Sequence, residues 1–91
     1  MTSVIRLSYL KNIGTTVEQR LNGIGVFSRD DLERVGAAVA YRKLKDCYRN
    51  TTLPRCYYLY SLEGALRGVH WNEIPDAVKR QLSKEAGVTD I

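Results

Sequence analysis

The sequence predicts an all-α fold, on three observations. Apolar residues recur at three- and four-residue spacing and nowhere alternate in the two-residue rhythm of a strand. Glycines close a repeated L-x-x-[I/V]-G pattern in the way that helices end. Serine, threonine and proline stand where helix starts need them. Five or six short helices are expected near 3–12, 16–23, 28–34, 37–49, 54–69 and 75–86. The 91 residues suffice for one core, so residues 1–91 read as a single domain.

The first three helices rest on their endings. Leu10-Lys11-Asn12-Ile13-Gly14, Leu21-Asn22-Gly23-Ile24-Gly25 and Leu32-Glu33-Arg34-Val35-Gly36 repeat every 11 residues. That period is too short for a helical solenoid, which needs about 33 residues or more. Capping explains it: glycine takes the left-handed position after a helix, and the apolar pair before it packs the last turn. Val26 and Ala37 then fall where a Schellman ending makes its apolar contact. Thr15 or Thr16 is placed to cap the second helix. Ser28 caps the third, ahead of two acids, Asp30 and Asp31, that suit the positive end of the helix dipole.

The two longer helices carry the core. In 37–49, Ala37, Ala40, Tyr41, Leu44, Cys47 and Tyr48 share one side, with Lys43, Lys45, Asp46 and Arg49 pointing largely away. In 54–69, which Pro54 opens, Leu59, Leu62, Leu66 and Val69 form a stripe flanked by Tyr58 and Ala65. This helix is apolar over more of its circumference and is expected to be central. Ser61, Gly64, Ala65 and Gly68 make a small-residue strip along it. Two interior glycines cost about 1 kcal/mol each relative to alanine, so the strip implies a close backbone approach. A close helix crossing within the chain accounts for it. A homodimer through Ser61, Gly64 and Gly68 is the sharper alternative. Glu63 and Arg67 are spaced for a surface ion pair. Pro75 is placed to open the last helix.

The residue inventory argues against an enzyme. The one histidine, His70, allows no His–His metal pair and reads as a capping or core-edge imidazole beside Trp71. The carboxylates are scattered or serve helix starts, and no phosphate-binding or dinucleotide fingerprint occurs. No catalytic, cofactor-binding or metal residue is assigned. Cys47 and Cys56 have neither redox nor zinc spacing and read as reduced packing thiols in a cytoplasmic protein; a pairing between them stays open. No stretch approaches the ~20 apolar residues of a membrane span, and no secretory leader is evident.

Charge is more informative. The formal net charge is +4, and all of it lies between residues 42 and 55. Arg42, Lys43, Lys45, Arg49 and Arg55 there oppose Asp46 alone, while the rest of the chain is balanced at nine of each sign. Such a patch attracts polyanions and acidic protein surfaces. A solvated helix face is the plainer explanation.

Two segments, residues 10–41 and Tyr58-Leu59-Tyr60-Ser61-Leu62-Glu63-Gly64-Ala65-Leu66-Arg67-Gly68-Val69-His70-Trp71, resemble the C-terminal domain of the TfoX/Sxy family, regulators of natural competence for DNA uptake. The carrying motifs are L-x-N-I-G, G-I-x-[ST]-x-x-D-L, A-Y-x-x-L and L-E-G-A-L-R-G-x-H-W, the last being the most specific. Family proteins usually carry an N-terminal α/β domain ahead of this one; by the resemblance, residues 1–91 read either as a stand-alone C-terminal domain or as a piece of a longer chain. The resemblance implies a regulatory binding module assisting transcription of competence genes, alongside a DNA-bound activator such as the cyclic-AMP receptor protein. Its partner is then a protein, with no membrane and no small-molecule substrate.

The same stretch is similar to the helix-hairpin-helix (SAM-like) modules of DNA-processing proteins. Asn12-Ile13-Gly14 and Gly23-Ile24-Gly25 correspond to the hairpins. By that resemblance, amides at Gly14, Thr15, Thr16, Gly23 and Gly25 would meet DNA phosphates. DNA-backbone binding is therefore the alternative function, and the tyrosines, at core-like spacing, supply no stacking platform for it.

Overall fold

The computed structural model describes residues 7–50, 53 and 58–87. Among them the chain is all-helical: α1 Thr15–Asn22, α2 Arg29–Val35, α3 Ala37–Cys47, α4 Leu59–Arg67 and α5 Asp76–Glu85, with 3₁₀ turns at Leu7–Tyr9 and Trp71–Glu73. α4 is central, packed against α2, α3 and α5. Its Leu59 and Leu62 are fully buried and meet Leu7, Leu21, Leu32 and Leu44 in one core.

The endings follow the glycine logic in part. After α1, Val26 N–H donates to Leu21 O at 2.9 Å and Gly25 N–H to Asn22 O at 3.1 Å, a complete Schellman closure with Gly25 at φ +87° and Val26 buried. Gly36 also has positive φ, but its ψ of 152° turns the chain directly into α3, so Ala37 is a helix start rather than a capping contact. Gly14 is the N-cap of α1, in extended backbone, and the left-handed residue of that segment is Asn12 at φ +74°.

Other expectations shift. The helix near 3–12 is, over its described part, a single 3₁₀ turn that ends before Asn12. Thr15 and Thr16 lie inside α1 instead of capping it. Ser28 caps α2, accepting from Asp31 N–H at 3.2 Å, with Asp30 and Asp31 in the first turn. Pro75 caps α5 from one position earlier than expected. Pro54 lies outside the described residues.

The small-residue strip serves a close approach within the chain. Gly64 is buried, and a β-carbon there would stand 2.5 Å from Asn12 Nδ2 and 2.7 Å from Val69 O. Ser61 is 1% exposed. Gly68 has left the helix as its left-handed C-cap. At Gly64 the strip is thus filled by the Asn12 loop and the 69–71 segment of the same chain, while Gly68 is exposed with nothing within 4 Å of an added β-carbon.

Candidate functional site

α3 turns one face inward because Ala37, Ala40, Tyr41 and Leu44 recur at helical spacing, and burying them sets the helix's rotation. Tyr41 fixes it further by donating its hydroxyl to Leu53 O at 2.7 Å. The rest of the helix surface projects outward: Arg42 and Lys43 are exposed on the far side and Lys45, one turn after Tyr41, on its flank, with Arg49 exposed just beyond the helix end. Arg55 lies outside the described residues.

These four cations have no counter-ion among the described residues. The ion pairs between described residues are Arg29–Glu33, Arg34–Asp31 and Arg67–Glu63. Asp46, on the same face, engages none of the four. Lys45 Nζ sits 5.7 Å from the centroid of the Tyr41 ring, which draws the ammonium over the aromatic face. The result is a cationic ridge along α3 and just beyond its end, without a counter-ion among the described residues.

The two hairpins differ. At Gly23–Gly25 the amides are consumed by the helix ending: Gly23 N–H donates to Gln19 O, Ile24 N–H to Leu21 O and Gly25 N–H to Asn22 O. The following helix start is occupied as well, since Phe27 N–H donates to Asp31 Oδ2 at 3.0 Å. That bond, chiefly, with the nearby Arg34, holds the Asp31 carboxyl below its ordinary value of 3.8 against some opposing desolvation. Two carboxylates at this start repel a phosphate, so Gly23 and Gly25 do not form the phosphate cradle expected of them. At the first hairpin Gly14 provides no side-chain cap, and the first helical bond is Glu18 N–H to Gly14 O. The amides of Gly14, Thr15 and Thr16 have no hydrogen-bond partner among the described residues.

The fold does bring the second hairpin against the C-terminal end of α3: a β-carbon on Gly23 would stand 2.5 Å from the Tyr48 hydroxyl. Arg20 completes the junction, donating to Tyr58 Oη at 2.8 Å with its guanidinium 5.4 Å from the Tyr48 ring centroid. Sequence reasoning left Arg20 unassigned, because nothing local links it to tyrosines on two later segments.

Cys47 is exposed and free, contrary to its expected place in the core. It is the last residue of α3 and lies on the flank of the buried stripe. Cys56 lies outside the described residues. His70 caps the Trp71–Glu73 turn, accepting from Asn72 N–H at 3.3 Å, and its ring packs 5.5 Å from Trp71. The Glu63–Arg67 pair forms as spaced, at 2.6 Å. Among the described residues no group of three or more His, Cys, Asp or Glu side chains could hold a metal ion. No helix there is long and apolar enough to cross a membrane.

A family model described as the TfoX C-terminal domain matches residues 4–86, nearly the whole chain. Two crystal structures from Listeria monocytogenes share the fold. One, a protein of unknown function in a tetragonal form, is 32% identical with a TM-score of 0.72, covering 88% of this chain and 95% of that one. The other, an uncharacterized protein in a triclinic form, is 29% identical with a TM-score of 0.77, covering 94% and 99%. No curated protein matches the chain.

Proposed function

The chain belongs to the TfoX C-terminal domain family, and on that premise we propose that it is a non-enzymatic regulatory module assisting transcription of natural-competence genes. It works in the cytoplasm by docking on a protein, either the transcription machinery or a DNA-bound activator. The cationic ridge of Arg42, Lys43, Lys45 and Arg49 meets an acidic surface of that partner. The carrying observation is that four exposed cations on one helix and its end lack any counter-ion among the described residues. Ion pairs that form across an interface add steering and orientation.

DNA-backbone binding is the weaker reading. Of the five hairpin positions, Gly14, Thr15 and Thr16 keep amides without a bond to any described residue, and Glu18 stands in the same first turn.

The test is genetic. In a competence-proficient bacterium lacking its own copy of this domain's gene, the wild-type chain should restore expression of a competence-gene reporter. A variant with Arg42→Glu, Lys43→Glu, Lys45→Glu and Arg49→Glu should not, although it accumulates to the same level. Equal restoration by both would remove the ridge from the function.

A further inference from the structure

Val39 stands on the exposed crest of α3 and has no part in the cationic ridge; it is an apolar side chain left 42% exposed. Arg42 and Lys43 lie one turn further along the same crest. On the other side of Val39 a groove opens between the start of α3, α4 and α5. Leu82 and Ala38 form its floor, Val35 its edge, and Glu63 and Glu85 stand in it. It continues along α5 past Val78 as a space of about 480 Å³. Glu63 is held by Arg67. Glu85 is exposed and has no counter-ion among the described residues.

Along this line the surface runs from an acidic, apolar groove, through a valine, to a basic pair. That order is its own complement under a two-fold rotation. With a second α3 laid antiparallel across the first, Val39 against Val39, each Arg42 and Lys43 lies about 4.5–6 Å along the helix from the axis. There the facing copy presents Val35 and the groove holding Glu85. The same rotation generates the reciprocal contact. We infer that the groove is a docking site for α3 of a second copy of this chain, giving an isologous dimer centred on Val39.

One helix and one groove per copy make a contact at the small end of interface sizes, below about 1,200 Å². The dimer is therefore weak and sensitive to salt. It goes beyond the regulatory reading while sharing Arg42 and Lys43 with it, so self-pairing and docking on a partner exclude each other. Glu85 and Val39 belong to the dimer alone, and the test turns on them.

Sedimentation velocity of the full chain, from about 10 μM to about 1 mM at low and at high salt, reads the association. The weight-average sedimentation coefficient should rise with concentration at low salt and much less at high salt. Val39→Asp, Glu85→Lys and the double variant Arg42→Glu/Lys43→Glu should each weaken association at least tenfold while keeping the wild-type circular dichroism. An equimolar mixture of Glu85→Lys with Arg42→Glu/Lys43→Glu should associate again, because both reciprocal contacts then pair opposite charges. A wild-type chain that stays monomeric throughout, a Glu85→Lys variant that associates like wild type, or a mixture that fails to associate would each overturn the inference. Reporter activity retained by Glu85→Lys separates failure of this dimer from failure of the regulatory reading.

Discussion

The side chain of Asn12 reaches across the fold to Gly64, its Nδ2 lying 2.5 Å from where a β-carbon on Gly64 would stand. From there it donates to Val69 O at 2.9 Å, and its Oδ1 accepts from Trp71 N–H at 3.3 Å. The two most recognisable motifs of the chain, N-I-G and L-E-G-A-L-R-G-x-H-W, are thus the two halves of one lock. Gly64 leaves the space, and Asn12, held at positive φ, fills it and ties down the turn after α4.

Gly64→Ala should destabilise the protein despite the better helix propensity of alanine. Propensity offers about 1 kcal/mol, while overpacking a close contact costs about 1–3 kcal/mol. A backbone carbonyl is one of the atoms met, so little can give way, and a net loss toward the upper end of that difference, up to about 2 kcal/mol, is expected by urea unfolding. Asn12→Ala should reduce the penalty of Gly64→Ala, giving a non-additive double-mutant cycle. Additive losses would show that the two residues act separately.

Helix starts should respond according to the caps the structure uses. Ser28→Ala should cost about 1 kcal/mol, since the hydroxyl accepts from the Asp31 amide. Thr15→Ala and Thr16→Ala should change stability little, because neither side chain caps α1. Gly25→Ala should cost about 1–2 kcal/mol from its left-handed backbone alone, as nothing lies within 4 Å of the added carbon. Thermal or urea unfolding of the four variants checks the order.

Much of this fold was legible because helices announce themselves locally. The stripe Ala37, Ala40, Tyr41, Leu44 is readable from spacing, as are the Ser28 cap and the Gly25 ending. The misassigned pieces depend on contacts distant in sequence. Gly64 and Gly68 look alike in the chain, yet one admits Asn12 and the other ends a helix. The basic stretch was legible as a charge imbalance. The amides of the second hairpin looked available until the 6→1 closure and the Asp31 carboxylate accounted for them.

Stability should fall in acid partly through Asp31. Its carboxyl titrates below 3.8 in the folded protein because it accepts from the Phe27 amide and faces Arg34. A depressed folded value means that the contribution is complete above the ordinary carboxylate range and is lost as pH falls through the folded value. Asp31→Asn should therefore be less stable than wild type at pH 7, with the gap closing as pH falls below the ordinary carboxylate range and through the lowered folded value. A gap independent of pH would assign the role of Asp31 to packing or neutral hydrogen bonding.

Reversing the four ridge cations should leave the fold intact. Each is exposed and free of ion pairs among the described residues, and surface substitutions of this kind usually stay within about 0.5 kcal/mol. A cooperative unfolding midpoint near that of wild type, read by circular dichroism, is the expected result. A large loss would place the ridge in the folding of α3 instead of in recognition.

The central claim is that this ridge docks on protein rather than on DNA. Fluorescence anisotropy of a labelled duplex tests it most directly, with the chain titrated onto bare duplex and onto duplex carrying the cyclic-AMP receptor protein and RNA polymerase, at two salt concentrations. The account predicts binding only when these proteins are on the duplex, and its loss in the Arg42→Glu/Lys43→Glu/Lys45→Glu/Arg49→Glu variant. Equal, steeply salt-dependent binding to the bare duplex would contradict it and make the chain a reader of the DNA backbone.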